Sequence, residues 1–92
     1  MNDTLDLKIV KMHRLPPEED GKVRAFVDLG INDALLIKGL RVVQGKDGLF
    51  VSMPSELGKD ERWYERVRCL NRNIKDVIEA KVLDAYQSQD NY

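Results

Sequence analysis

The spacing of apolar residues changes partway along this chain, and that switch limits the folds open to it. Over roughly the first half, apolar side chains recur at every second position, the period of a half-buried strand. Leu5, Leu7 and Ile9 alternate with Asp6, Lys8, Val10 and Met12 through to His13. Pro16-Pro17-Glu18-Glu19-Asp20-Gly21 then interrupts, since proline cannot donate to a ladder and Asp-Gly favours a turn. Lys22 to Leu29 alternates again, with Val23, Ala25, Val27 and Leu29 on one face. Phe26 is the apolar exception on the other, so that face is not wholly solvated. After a turn at Gly30-Ile31-Asn32-Asp33, Ala34 to Val43 is apolar and β-branched, and Gly39 within it predicts a bulge or bend. Gln44-Gly45-Lys46-Asp47-Gly48 reads as a hairpin loop and Leu49 to Met53 as a fourth strand ending at Pro54.

Downstream the period lengthens. Ser55 to Glu61 is polar, contains Gly58 and reads as a loop, and Trp63 to Leu70 as a short extended segment. Ile74, Val77, Ile78, Val82, Ala85 and Tyr86 recur every three or four residues, the stripe of an amphipathic helix. The face Ile74, Val77, Ile78 and Val82 is expected to pack on the sheet or on a partner chain. Asn71 or Asn73 can cap its start, and Gln87 to Tyr92 reads as a frayed tail. The expected fold class is α+β: an antiparallel four- to five-stranded β-meander followed by a C-terminal amphipathic helix. At 92 residues the chain has room for one core, hence one domain, small enough that self-association would help it.

Composition narrows the partners. The formal net charge is −1, so any binding of nucleic acid must use a local patch. Cys69 is the only cysteine, which rules out an intrachain disulfide and suits a reducing compartment. The segment from Met1 to Asp6 lacks the basic and apolar runs of a signal peptide, and no stretch approaches the roughly 18 apolar residues of a membrane helix. A cytoplasmic protein without membrane contact is expected.

The stretch Gly48-Leu49-Phe50-Val51-Ser52-Met53-Pro54-Ser55 resembles the signature of the SpoVG (stage V sporulation protein G) family. Leu40 to Gly45 resembles the strand and turn before it, Val67, Leu70 and Asn71 the approach to the family's terminal helix, and Val82 to Tyr86 that helix's end. The likeness runs from about Leu5 to Tyr86. It implies a homodimer of a small α+β fold that binds DNA and RNA, with a regulatory role touching septation, cell division and, in spore formers, sporulation. Two departures stand out. Where the family usually has a basic pair after Met-Pro-Ser, this chain has Glu56-Leu57; where it often has His-Pro, this chain has Arg68-Cys69. Both shift the expected nucleic-acid surface toward the later residues. Because Leu49, Val51 and Met53 share one face and Phe50 and Ser52 the other, the octapeptide is read as packing. A strand apolar on both sides is expected to be central in its sheet or covered by a helix or partner.

The charge feature that stands out is Arg62 to Lys75. Arg62, Arg66, Arg68, Arg72 and Lys75 stand there against Glu65 alone, a local +4. Arginine's planar fork suits phosphate oxygens, and Trp63 and Tyr64 beside it can stack on unpaired bases. Spacing alone reads the cations equally well as solvated surface, and it favours a core or dimer contact for the two aromatics. The family resemblance favours binding by the cations.

Enzyme chemistry finds little inventory. His13, the only histidine, ends a strand beside Arg14, and Cys69 could serve as a nucleophile only with His13 alongside; it reads better as a small, half-buried hydrophobe. Gly39 to Lys46 fails as a phosphate loop because its glycines are too far apart, Asp47 replaces the magnesium-binding hydroxyl and a strand follows. Glu18-Glu19-Asp20 reads as a solvated turn, not a metal site, and nothing calls for a cofactor or a small-molecule substrate. The expected function is that of a dimeric, non-enzymatic DNA- or RNA-binding regulator of septation. The alternative is a protein-interaction module of the division machinery, favoured by the acidic balance and the missing basic pair.

Overall fold

Two backbone turns that few residues tolerate set the sheet. The computed structural model describes residues 5–16 and 21–88. Its elements are strands β1 (Leu7–Arg14), β2 (Val23–Ile31), β3 (Leu35–Gly45), β4 (Gly48–Ser52), β5 (Ser55–Leu57) and β6 (Trp63–Glu65), then helix α1 (Arg72–Ser88). Between β2 and β3, Asn32 and Asp33 both have positive φ (54° and 52°), the mark of a tight hairpin turn whose twist matches its strands. The Ala34 amide closes it on the Ile31 carbonyl at 2.9 Å. Between β3 and β4, Gly45 pairs with Gly48 around Lys46-Asp47, and Gly48 takes a φ of 128° that a side chain would resist.

Strands β1 to β4 form one antiparallel sheet in sequence order, and β5 and β6 form a separate two-stranded arm. The expected meander and terminal helix are therefore present. The segment from Ser55, read from sequence as loop up to Glu61, contributes β5: Ser55, Glu56 and Leu57 pair with Glu65, Tyr64 and Trp63. Three residues are too few to display a period. The Glu18-Glu19-Asp20 turn lies outside the described residues.

One face of the sheet carries the core. Ala25, Val27, Leu29, Leu40 and Val42 are fully buried, joined by Leu7, Ile9, Met12, Val51 and Met53 from the sheet side. The helix adds Ile78, Val82 and Ala85. Burying each of the larger side chains contributes about 1.5–3 kcal/mol of transfer free energy. Register shifts explain two departures from strict alternation. An extra residue at Val10 moves Met12 onto the core face beside Leu7 and Ile9, where unbroken alternation puts it opposite. A second bulge, at Lys38-Gly39, lies where glycine predicted one, with Gly39 at a φ of 89° and its amide donating to Asp28.

The helix sits differently from the face expected for it. Ile74, Ile78, Val82 and Ala85 line its inner side, whereas Val77 is 49% exposed. A step of three residues from Ile74 falls short of a full turn, which leaves Val77 on the rim. The helix end is held by Arg14, whose guanidinium donates to the Tyr86 and Ala85 carbonyls at 2.7 and 3.2 Å and lies 4.9 Å from the Tyr86 ring. A cation there satisfies carbonyls that lack helical partners and complements the dipole. Helical structure continues through Gln87 and Ser88, where a frayed tail was expected to begin.

Strand β4 is an edge strand, not the central one expected for a segment apolar on both faces. Helix α1 covers its inner side only. The outward-pointing Val51 amide donates to the Glu79 carboxylate of that helix at 3.1 Å, so a side chain occupies an edge site that another strand would use. Phe50, on the other side, is 44% exposed.

Candidate nucleic-acid interface

Asn71 starts the helix and thereby positions two of the expected cations. Its side-chain oxygen accepts the Asn73 and Ile74 amides at 2.7 and 3.3 Å, the geometry of an N-cap. Arg72 opens the helix and Lys75 follows one turn later, so both lie on one exposed flank. No acidic residue occupies that first turn to balance them. Two cations at the positive end of the helix dipole are locally unfavourable, an arrangement suited to an external anion.

The other three stand on and after the arm. Residue 62 anchors the turn through its backbone: its amide donates to the Asp60 carboxylate at 3.1 Å and its carbonyl accepts the Gly58 amide at 2.8 Å. The Arg62 side chain is exposed and makes no ion pair among the described residues. Arg66 closes the arm through its amide, which donates to the Pro54 carbonyl at 2.8 Å, while its guanidinium lies 3.3 Å from Glu56. Arg68 donates to Glu65 at 2.8 Å, and that carboxylate raises the Arg68 pKa further. All five cations are exposed, two are paired with acids, and Arg62, Arg72 and Lys75 have no acidic partner among the described residues.

Trp63 and Tyr64 are not core residues: they are 62% and 45% exposed, so of the two placements expected for them, core or dimer contact, the core is excluded. The Tyr64 hydroxyl donates to Asp60, which holds the Asp60 carboxyl below its ordinary range and pushes the phenol up. The arm leaves no room at Gly58, where an added Cβ would stand 2.7 Å from the Tyr64 ring. Trp63 lies against Arg41 of β3, whose guanidinium carbon is 5.2 Å from the indole centroid. Arg41 is a cation near this region that charge-run reasoning missed, because it lies far away in sequence. Cys69 is half-buried against the core, while His13 is exposed on the opposite face of the sheet, which separates the two groups that nucleophilic catalysis would need together. No helix among the described residues is long and apolar enough to cross a membrane.

The sequence profile of the SpoVG family matches residues 3–88. The chain belongs to the SpoVG family. Relatives from Bdellovibrio bacteriovorus and Archaeoglobus fulgidus are 30% and 38% identical, over 90% and 77% of this chain and 76% and 84% of their own lengths. A third, from Staphylococcus carnosus, is 29% identical over 91% of this chain and 78% of its own. All three carry the name "Putative septation protein SpoVG". The SpoVG octapeptide, Gly48 to Ser55, has a structural account in this chain. Gly48 makes the hairpin, Val51 and Met53 enter the core, and the Pro54 carbonyl holds the arm. Glu56, one of the two departures from the family pattern, is the residue that pairs with Arg66.

Proposed function

We propose that this SpoVG-family chain is a nucleic-acid-binding regulator acting as a homodimer, with Arg62, Arg66, Arg68, Arg72 and Lys75 as its phosphate grip. The observation that carries this reading is the exposure of Arg62, Arg72 and Lys75 without acidic partners among the described residues, in a chain of net charge −1. Arg66 and Arg68 can exchange exposed carboxylates for phosphates at little cost, since surface ion pairs contribute about 0–1 kcal/mol. Duplex DNA and structured RNA offer the same phosphate chemistry, and twofold symmetry would duplicate the grip along either. The septation role named for the relatives is consistent with a regulator of division genes or transcripts.

Gel-shift titrations over a range of salt concentrations test it. The logarithm of affinity should fall linearly with the logarithm of salt, by about 0.9 per duplex phosphate neutralised. Changing Arg62, Arg72 and Lys75 together to Ala should weaken binding and flatten that slope by up to about 2.7. An unaltered slope removes these residues from the site.

A second reading, a protein-interaction module of the division machinery, draws on exposed Leu57, Leu70 and Val77, of which Leu70 is 98% exposed. Apolar side chains in the open suit a protein surface, a second copy included. Nuclease-resistant recovery of a division protein, with no salt-dependent binding of nucleic acid, would favour that reading.

A further inference from the structure

The sheet has a second face, and no helix among the described residues packs on it. Helix α1 packs against β1, β3 and β4, and its buried residues Ile78, Val82 and Ala85 join the core cluster on the other side. On the bare side, the register sets His13, Phe26, Arg41 and Ser52 opposite one another across the four strands. Phe50, opposite Val43, lies diagonal to Arg41 on the same face. Phe26 is 40% exposed and Phe50 44%, and the arm brings Trp63 to the rim of this patch through its contact with Arg41. The Phe50 ring is held beside the Gly45 backbone, where an added Cβ would be 3.0 Å from it.

From this arrangement we propose that the open face of the sheet is a stacking platform for unpaired bases of single-stranded nucleic acid, with Phe26 and Phe50 as the stacking rings and Arg41 between them. Trp63 is the third ring, at the edge nearest the cations of the arm. The proposal rests on the nucleic-acid reading above and adds a second, chemically different contact to it. Exposed rings with an interleaved cation match a strand of bases and phosphates, because each ring can take a base face while the guanidinium takes the backbone or stacks itself. A four-stranded antiparallel sheet presenting aromatics is a recurring support for splayed bases. A second copy of the chain suits this face poorly: a twofold contact repeats the same patch on both sides and would bury both Arg41 guanidiniums, which have no acidic partner among the described residues. Asp28 on this face lies opposite Lys11 and accepts the Gly39 amide, so it does not neutralise Arg41.

The 92-residue chain provides its own reporter, since Trp63 is its only tryptophan. Binding of a twelve-nucleotide oligo-dT, an oligo-U of equal length and a duplex of equal length is measured by Trp63 fluorescence and by salt titration. The Phe26→Ala/Phe50→Ala double variant should lose about 30-fold or more in affinity for both single strands, while duplex affinity changes by no more than about twofold. Phe50→Leu keeps apolar bulk without a π face, so it should lose single-strand affinity with an unchanged melt, whereas Phe50→Tyr should retain it. Unchanged single-strand binding in Phe50→Leu and the double variant overturns the platform, as does an equal loss on duplex and single strands. A fall in molecular mass with single-strand affinity intact overturns it too, and assigns the face to a second copy. If the parent chain binds duplex through Arg72 and Lys75 but not single strands, only the platform falls. If it binds neither, the nucleic-acid reading falls with it.

Discussion

The sheet with its helix and the short β5–β6 arm obey different physics. In the first, side chains from four strands and the helix meet in one apolar cluster, and Val27, Leu29, Leu40, Val42 and Val82 are sealed from water. In the second, every residue from Lys59 to Arg66 is exposed, and the arm is held by backbone bonds, two ion pairs and the Tyr64–Asp60 contact. Stability resides in the buried interior of the first region, and the candidate binding residues lie on the arm and on the exposed surface of the first region, with Arg72 and Lys75 at the start of the helix. Substitutions in the arm should therefore change binding while barely touching the melt, and substitutions under the helix should do the reverse.

The strongest challenge to that division is a cavity in the core. Leu40→Ala should cost about 2–5 kcal/mol in chemical denaturation, a large share of what a small domain has. Its residual folded fraction should still bind nucleic acid with the parent's salt slope. Next comes the junction between the regions. Asn71→Ala removes the N-cap beneath Arg72 and should cost about 1 kcal/mol, with a measurable loss of binding only if helix fraying displaces Arg72 and Lys75. Glu56→Lys restores a cation at the family's basic position and releases Arg66. It should steepen the duplex salt slope by about 0.9–1.8 and leave denaturation within about 1 kcal/mol of the parent. A large stability change there would contradict the division.

The smallest effect concerns pH. Asp60 has its pKa lowered below the ordinary 3.8 by the Tyr64 hydroxyl and the Arg62 amide. Its contribution is complete above that unfolded value and disappears as pH falls through the lower folded value. Tyr64 is shifted upward from 10.0, so its share is complete below pH 10 and disappears as pH rises through the higher folded value. Between those limits the arm should be insensitive to pH. Acid titration followed by the Trp63 signal should show a transition in the parent that Tyr64→Phe removes, with the helix signal unaltered.

What sequence could reveal here was whatever repeats. Period-two alternation located β1 and β2, an apolar β-branched run located β3, a hairpin loop and Pro54 bracketed β4, and the three- and four-residue recurrence located the helix; of the two caps legible there, Asn71 and Asn73, Asn71 is the one used. What escaped depends on single insertions and on contacts across the fold. One extra residue at Val10 reverses the side on which Met12 emerges, and alternation gives no warning of it. Val77 fits the helical stripe but falls beyond the strip of sheet beneath it. The run from Arg62 to Lys75 looked nearly free of acid because a linear window does not contain Glu56, which β5 delivers to Arg66. Phe26 was the one visible irregularity on its face. Its neighbours on that face, Arg41 opposite it and Phe50 diagonal to Arg41, become visible only from the strand register.

The hydrogen bond from the Val51 amide to Glu79 bears on how the molecule behaves in company. A terminal strand with vacant amides invites a stranger's backbone to extend the sheet, and repeated extension is how fibrils grow. A helix carboxylate resting on that margin acts as a doorstop: recruitment through β4 must first displace it. The chain can thus keep one face of its sheet bare without leaving this border open to indiscriminate polymerisation.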